Sequence, residues 1–336
     1  GRFFFHFMAL CLYFLAFRPQ LNLKKNFKIQ IIRSILMVTA TFFMFNSLQR
    51  FDLVDIYVVF FSGKILKFSK NEISNDFLNT KEINSNILTY LKNSNQKWVG
   101  VKDILIIKND IYISYTKAIG DPKNDCYNTS ILKGTLGSDN INFREFFTHE
   151  DCSDWNKKEG PAQAGGRMIK FKNNIFLTVG DFKNLELYST VDKRLFCKIL
   201  SIDIDTKKYK IISKGHRNPQ GLLYIENKDL IISSEHGPKG GDEINKILID
   251  TKEVPHYGWP IASYGTFYGF ESTEIRKHII KYRNHKKNGF VEPILVYEPS
   301  IGPSQIVQAN YKSDNSYLVS SLSRRSLYEF DYYKED

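Results

Sequence analysis

Cysteine is scarce in this chain, four in 336 residues with no Cys-x-x-Cys pair. That count excludes a disulfide scaffold, and the missing pair excludes the usual zinc ribbon. Long apolar runs are absent too. The two longest, residues 3–17 and 31–45, fall short of the roughly 20 residues a spanning helix needs. A mean hydropathy of −0.32 excludes a polytopic membrane protein. Helical patterning is nearly missing, and residues 274–284 are the one segment that reads as a helix. What is plentiful is aromatic: 26 Phe, 19 Tyr and 3 Trp, a composition that suits half-buried strands. Apolar residues reach 42% and charged residues 25%, which allows a sizeable core and speaks against general disorder. The length fits one large repeat fold or two ordinary domains.

The net charge is +11. Most of the excess is scattered singly. The densest cluster, Arg276, Lys277, Lys281, Arg283, Lys286 and Lys287, also holds Tyr282, His278 and His285. It reads as a solvated insertion, with a polyanion site as the alternative. No nucleic-acid motif accompanies it, and no nucleic-acid partner is expected.

The first 50 residues differ from the rest. The chain starts at Gly1, which reads as a fragment or a processed product. Lys24, Lys25, Lys28 and Arg33 precede or interrupt the second apolar run, the layout of a secretory signal or an uncleaved anchor. No clean small-x-small cleavage site follows, so cleavage and membrane attachment through residues 1–46 both stay open, as does a buried cytosolic helix. Residues 1–50 are therefore set apart as a signal or membrane-anchor region, and 51–336 as the folded domain. Export, to a periplasm-like space or anchored at the inner membrane, puts Cys126 and Cys152 where they can pair; two buried thiols are the alternative.

Beyond residue 100 one pattern recurs. Asp103–Ile107 and Ile111–Tyr115, Arg167–Phe171 and Ile175–Val179, Leu222–Ile225 and Leu230–Ser234, and Gln305–Ala309 and Tyr317–Ser321 each pair two apolar runs across a polar turn. The second run of each ends in or near small hydroxyl residues. This is the sequence form of a β-hairpin. The second strands begin at 111, 175, 230 and 317, and the wide last gap implies a missed unit or an insertion. Such long periods predict an all-β propeller. The chain enters and leaves a hairpin at one end, so the flanking segments should gather on one face. Those segments are rich in Gly and polar residues, as a binding face is.

Three motifs in order, Gly215-His-Arg-Asn-Pro-Gln-Gly221, Glu235-His-Gly-Pro-Lys-Gly-Gly-Asp-Glu-Ile-Asn245 and Tyr257-Gly-Trp-Pro260, resemble the glucose/sorbosone dehydrogenase family, the soluble pyrroloquinoline quinone (PQQ)-dependent aldose dehydrogenases. The likeness runs from about residue 95 to 331. It implies a six-bladed β-propeller, with PQQ and Ca2+ on the loop face and an aldose oxidised to its lactone. Electrons would pass to the respiratory chain or a soluble carrier. The carbonyls of Gly237 and Pro238 would hold the Ca2+ that coordinates PQQ, an oxygen ligation that suits calcium. Arg217 would stabilise charge on the quinone. Asn218, Gln220 and His236 belong to the cofactor side, and Asp181 would orient the base. Glu243 and the carbonyl of Tyr257 match a structural calcium site, although this chain has four extra residues between them.

Two departures stand out. The family's proton-abstracting histidine matches Gln163, and an amide has no useful basicity; a lost base typically costs about 10²–10⁴ in rate. His149 is the other histidine upstream, reachable only if a loop rearranges. Where the family holds PQQ with a lysine, this chain has Ser323 followed by Arg324 and Arg325, either of which would suit a carboxylate. The chain also stops before the family's final strands, which leaves ring closure open. Two function classes follow: a PQQ- and Ca2+-dependent aldose dehydrogenase, or a catalytically impaired propeller that binds a sugar or a partner on the same face.

Overall fold

All four hairpins form, and each grows into an antiparallel sheet. The computed structural model describes residues 55–59, 63–69, 78–91, 100–120, 126–137, 140–153, 162–183, 194–269, 276–309 and 313–333. The expected signal or anchor region lies outside these. Among the described residues no helix is long and apolar enough to cross a membrane. The chain divides into two compact units, residues 1–58 with 65–83, and residues 59–64 with 84–336. In the first, β1 (Asp55–Val59) precedes the antiparallel pair of β2 (Ile65–Ser69) and β3 (Lys81–Ser85), with Ile65 opposite Ile83.

The second unit holds four sheets. The first runs β4 (Val101–Ile107), β5 (Asp110–Ile119), β6 (Cys126–Thr135) and β8 (Arg144–Phe147), with the short β7 (Asn140–Ile141) before the last. The second runs β9 (Gly165–Phe171) to β12 (Tyr209–Lys214) through β10 (Asn174–Val179) and β11 (Lys198–Asp203). The third is β13 (Pro219–Ile225), β14 (Leu230–Glu235), β15 (Asp242–Ile247) and β16 (Leu295–Tyr297). The fourth is β17 (Pro303–Gln308), β18 (Ser316–Ser321) and β19 (Ser326–Asp331). In each sheet the first strand is an edge, and β4, β9, β13 and β17 pack against one another in sequence order. This nesting of first strands is propeller-like.

Burial follows that order. β10 and β14 are buried almost throughout, whereas β19 is mostly exposed. Near-continuous apolar runs are what a strand covered on both faces requires. The wide gap before the last hairpin is an insertion: residues 248–294 separate β15 from β16 within one sheet. The helix expected at 274–284 does not continue past Arg276 over its described part. Ile280 takes φ +51° and donates its N–H to Pro260, and Lys281 donates to Ile261, so these groups do not build a helical ladder. Cys126 and Cys152 form a disulfide, while Cys197 is a buried free thiol.

The hydroxyl residues of the second strands tie the sheets together. Ser114 on β5 donates to Gly166 O at the start of β9 (2.5 Å), Thr178 on β10 to Pro219 O at the start of β13 (3.2 Å), and Ser234 on β14 to Ser304 O at the start of β17 (2.5 Å). Thr178 Oγ1 also accepts from the N–H groups of Gly166 (3.1 Å) and Arg167 (2.9 Å). By contrast, the buried Ser201 hydroxyl has no partner among the described residues. Thr178→Val keeps the shape and strands three buried backbone groups, so urea unfolding should show a loss of about 1–3 kcal/mol. Ser201→Ala should change stability by less than about 0.5 kcal/mol, because no bond is lost.

Candidate active site

The segments that leave β10 and enter β9 and β13 are stitched by backbone bonds. Asp181 N donates to Arg217 O (2.8 Å), Phe182 N to Gln163 O (3.2 Å) and His236 N to Asn218 O (3.1 Å). Gln163 takes φ +59°, and a Cβ placed on Gly180 would lie 1.9 Å from its carbonyl oxygen, so only glycine lets the two loops approach.

This close approach brings Gln163, Asp181 and Arg217 side by side. With its amide turned so that both ends are satisfied, Gln163 donates to Asp181 Oδ1 (2.7 Å) and accepts from Arg217 Nη2 (2.9 Å). Asp181 also accepts from Lys183 N (2.9 Å) and, at Oδ2, from the Trp259 indole (3.1 Å). Arg217 Nη1 donates to the carbonyls of His236 (3.1 Å) and Gly237 (2.5 Å). Its guanidinium carbon lies 5.3 Å from the Trp259 ring and 5.9 Å from that of Tyr268, within cation–π range. Arg217 Nε is buried and has no partner among the described residues.

The other residues named from the sequence surround this centre. Asn218 Oδ1 accepts from Gln220 Nε2 (2.9 Å) and Gly165 N (3.3 Å), so the two amides brace the loop. The His236 ring bonds to Pro303 O (2.7 Å), and burial lowers its pKa. The Pro238 carbonyl accepts from Gly241 N (3.2 Å), and Asp242 holds the loop through Gly237 N (3.1 Å), Ile301 N (2.8 Å) and Gly302 N (2.7 Å). Arg324 and Arg325 are exposed in the β18–β19 turn, which leaves the same end of its sheet as the Glu235–Asp242 loop does of its own. Trp259 was not among the site residues expected from the sequence; its place in the Tyr257-Gly-Trp-Pro260 motif was the available signal.

Glu243 and Tyr257 sit deeper. Glu243 lies opposite Glu235 across β14 and β15. Burial, and then the charge of Glu235, push the Glu243 carboxyl well above the usual range. Asn245 Nδ2 bridges Glu235 Oε1 (2.6 Å) and Glu243 Oε2 (3.3 Å). Glu235 also accepts from His216 Nδ1 (3.1 Å) and Arg217 N (2.9 Å), which links this acidic pocket to the guanidinium. The Tyr257 ring stacks on His216 at 4.6 Å, and its hydroxyl donates to Lys246 O (2.6 Å). The basic run is solvated at Lys281, Arg283, Lys286 and Lys287, but His285 within it is fully buried.

His149 has other neighbours than Gln163. It packs on Phe147, lies near Asp151 and Lys117, and gives its carbonyl to Asn128 Nδ2 (2.6 Å), with no contact to Gln163.

A sequence profile of the family described as Glucose / Sorbosone dehydrogenase matches residues 94–336. The chain belongs to this family. Among curated relatives, an aldose sugar dehydrogenase of Escherichia coli (strain K12) is 35% identical over 106 residues, which is 31% of this chain and 25% of that protein. A quinoprotein glucose dehydrogenase B of Acinetobacter calcoaceticus is 47% identical over 55 residues, 16% of this chain and 10% of that protein. The matched stretches thus span a quarter or less of these relatives. The crystal structure of the soluble aldose sugar dehydrogenase from Escherichia coli in the apo-form superposes with a TM-score of 0.62 at 20% identity, covering 83% of each chain. A glucose dehydrogenase crystal structure gives the same TM-score over 83% of this chain and 80% of that one. These likenesses establish the fold of a glucose/sorbosone dehydrogenase for this chain.

Burial drops the His149 imidazole from 6.5 to about 4. Between those values the unfolded chain binds the extra proton, so His149 contributes stability that is full above pH 6.5 and is lost as pH falls toward 4. The loss is on the order of 3 kcal/mol. His149→Phe should flatten that part of the pH–stability curve in urea titrations between pH 7 and 4.

Proposed function

We propose that this chain is a PQQ- and Ca2+-dependent aldose dehydrogenase whose base position has been altered to Gln163. The observation that carries the reading is Arg217: a guanidinium with 8% exposure, held against carbonyls and an aromatic ring, with Nε left unbonded. A buried cation with an open donor is costly unless an anionic group completes it. A planar quinone bearing carboxylates suits that donor, the flanking Asn218 and Gln220, and the exposed Arg324 and Arg325. For Ca2+, the Gly237 carbonyl keeps one lone pair beyond its bond to Arg217, and Pro238 O is the adjacent oxygen donor.

When bound, the quinone supplies a two-electron acceptor that takes hydride from the sugar's anomeric carbon. The chain's own part is positioning. Arg217 would supply a fixed positive charge that could stabilise negative charge developing on a bound acceptor. Asp181 fixes Gln163 and Trp259, and with them the wall facing Arg217. Gln163 can orient the hydroxyl of the sugar but cannot take its proton. The second reading, a propeller that binds a sugar or partner without turnover, rests on that amide. The Cys126–Cys152 disulfide supports an oxidising compartment, and hence an exported protein passing electrons to a respiratory or soluble carrier.

Reconstitution with PQQ and Ca2+ followed by dye reduction with aldoses tests this directly. Slow turnover should appear in the wild type, vanish in Arg217→Ala, and rise about 10²–10⁴-fold in Gln163→His. Tight PQQ uptake with no turnover in the wild type or in Gln163→His would establish the binding-module reading instead.

A further inference from the structure

We propose that the groove between the first and second sheets of the second unit, at the end away from the Arg217 cluster, binds an anionic saccharide chain, one that carries uronate or sulfate groups. Two open cavities of about 670 and 750 Å³ lie there and share Glu145, Phe146 and Lys207, so they run together as one groove. Each alone has the volume of a small-molecule site, and together they have room for several sugar rings. One wall is β8 with the segment before it, and the other is the turn between β11 and β12. Asp203 at the end of β11 pairs with Asn174, whereas Lys198 at its start pairs with Val179, next to Gly180. This turn therefore sits at the opposite end of the second sheet from Asp181.

The charges there are arranged for an anion. Lys133, Arg144, Lys207 and Lys208 line the groove against the carboxylates of Glu145 and Asp205. Glu145 is already engaged from outside it, by Lys117 and by the Tyr115 hydroxyl (3.3 Å), and Lys133 is engaged by Asp110 (2.8 Å). Arg144, Lys207 and Lys208 are exposed and have no carboxylate partner among the described residues. The surplus is therefore positive, which attracts and orients an anionic chain. Uncharged groups supply the rest of a saccharide site. Tyr209 is 47% exposed, and its ring is held edge-on to the buried Phe147 ring at 5.6 Å, so a fixed apolar surface is open to a sugar ring. The exposed Asn142 amide and Thr148 hydroxyl offer donors and acceptors to sugar hydroxyls. Both walls are built before any ligand arrives. Asp203 Oδ1 accepts from Asp205 N (3.1 Å), Thr206 N (2.7 Å) and the Thr206 hydroxyl (2.8 Å), and Phe146 packs on Tyr112 at 5.0 Å. A single-stranded nucleic acid is the other polyanion for a basic, aromatic surface, but it stacks successive bases on several rings. Of the rings lining this groove, Phe146 and Phe147 are buried and Tyr209 alone is exposed.

The inference needs neither quinone, metal nor sugar oxidation, so it stands or fails apart from the dehydrogenase reading. Affinity of the full chain is measured for polygalacturonate, for dextran as a neutral control, and for a single-stranded oligonucleotide. The wild type should bind polygalacturonate at least about tenfold more tightly than dextran, and less tightly as salt rises. Combining Arg144→Ala, Lys207→Ala and Lys208→Ala should lower that affinity at least about tenfold. Lys286→Ala with Lys287→Ala, in the other basic run, should change it less than about twofold. In the wild type, bound polygalacturonate should also shield Lys207 and Lys208 from amine acetylation while Lys286 and Lys287 stay reactive, a readout that depends on no variant folding. The proposal is overturned by absence of binding in the wild type, by tighter binding of the oligonucleotide, by an affinity that the triple variant leaves intact, or by shielding of Lys286 and Lys287 in place of Lys207 and Lys208.

Discussion

The fold depends on hydroxyls that three of the second strands, β5, β10 and β14, present to the next sheet. Ser114, Thr178 and Ser234 each reach across to a carbonyl at the start of the next sheet's first strand. Those carbonyls belong to Gly166, Pro219 and Ser304, which lie at the ends of the loops that build the site. The same bonds that fix one sheet against the next therefore fix Gln163, Arg217 and the Gly237 loop against one another. Arg167 repeats the constraint from the first strands. It donates to Gln220 O (2.6 Å) and Ser304 Oγ (3.4 Å) and pairs with Asp103 (3.3 Å), so one side chain on β9 touches β4, β13 and β17. Burial raises the Asp103 carboxyl pKa and the guanidinium opposes that rise, as expected of a pair that is wanted charged.

This economy has a consequence for the site. Polar groups crowd one end of the sheets, and most of them are spent on one another: Asp242 on three backbone N–H groups, Asn218 on Gln220 and Gly165, His236 on Pro303. Several buried polar atoms stay unbonded among the described residues, the hydroxyls of Ser201 and Ser233 and the Arg217 Nε among them. Arg217 Nε stands out because it belongs to a charged group, for which burial without a full set of partners costs most.

Much of this was legible in the sequence because hairpins are local. Strand, turn and strand fall within some twenty residues, so all four were recognisable. Their hydroxyl endings were visible as well, but their reason was not, since each hydroxyl acts on a carbonyl 41–70 residues away. Gln163, Asp181 and Arg217 were found through motifs rather than through any local signal. The failures share one cause. His285 sits in a run of lysines and arginines that reads as surface, and only the packing of Gly258 and Tyr264 around it reveals that one residue of that run turns inward. The helix read at 274–284 stops after Arg276, and Pro260 and Ile261 supply the acceptors for the N–H groups of Ile280 and Lys281 from a distant turn.

The amide at position 163 can be understood from the same geometry. Its neighbours are a carboxylate that needs a donor and a guanidinium that needs an acceptor, and an amide offers one of each. A neutral imidazole also offers one of each, but a base must keep its lone pair for the substrate. An imidazole here would therefore serve as a base only if Arg217 released it, for instance by turning Nη2 toward a bound anion. Gln163 satisfies both neighbours without any such rearrangement and fixes Arg217 in place. If the proposed function holds, the amide would trade proton abstraction for a charge-balanced bridge between Asp181 and Arg217. On the proposed reading the chain would still offer a cation to an anionic group, whereas any proton transfer there would have to be driven by solvent or substrate.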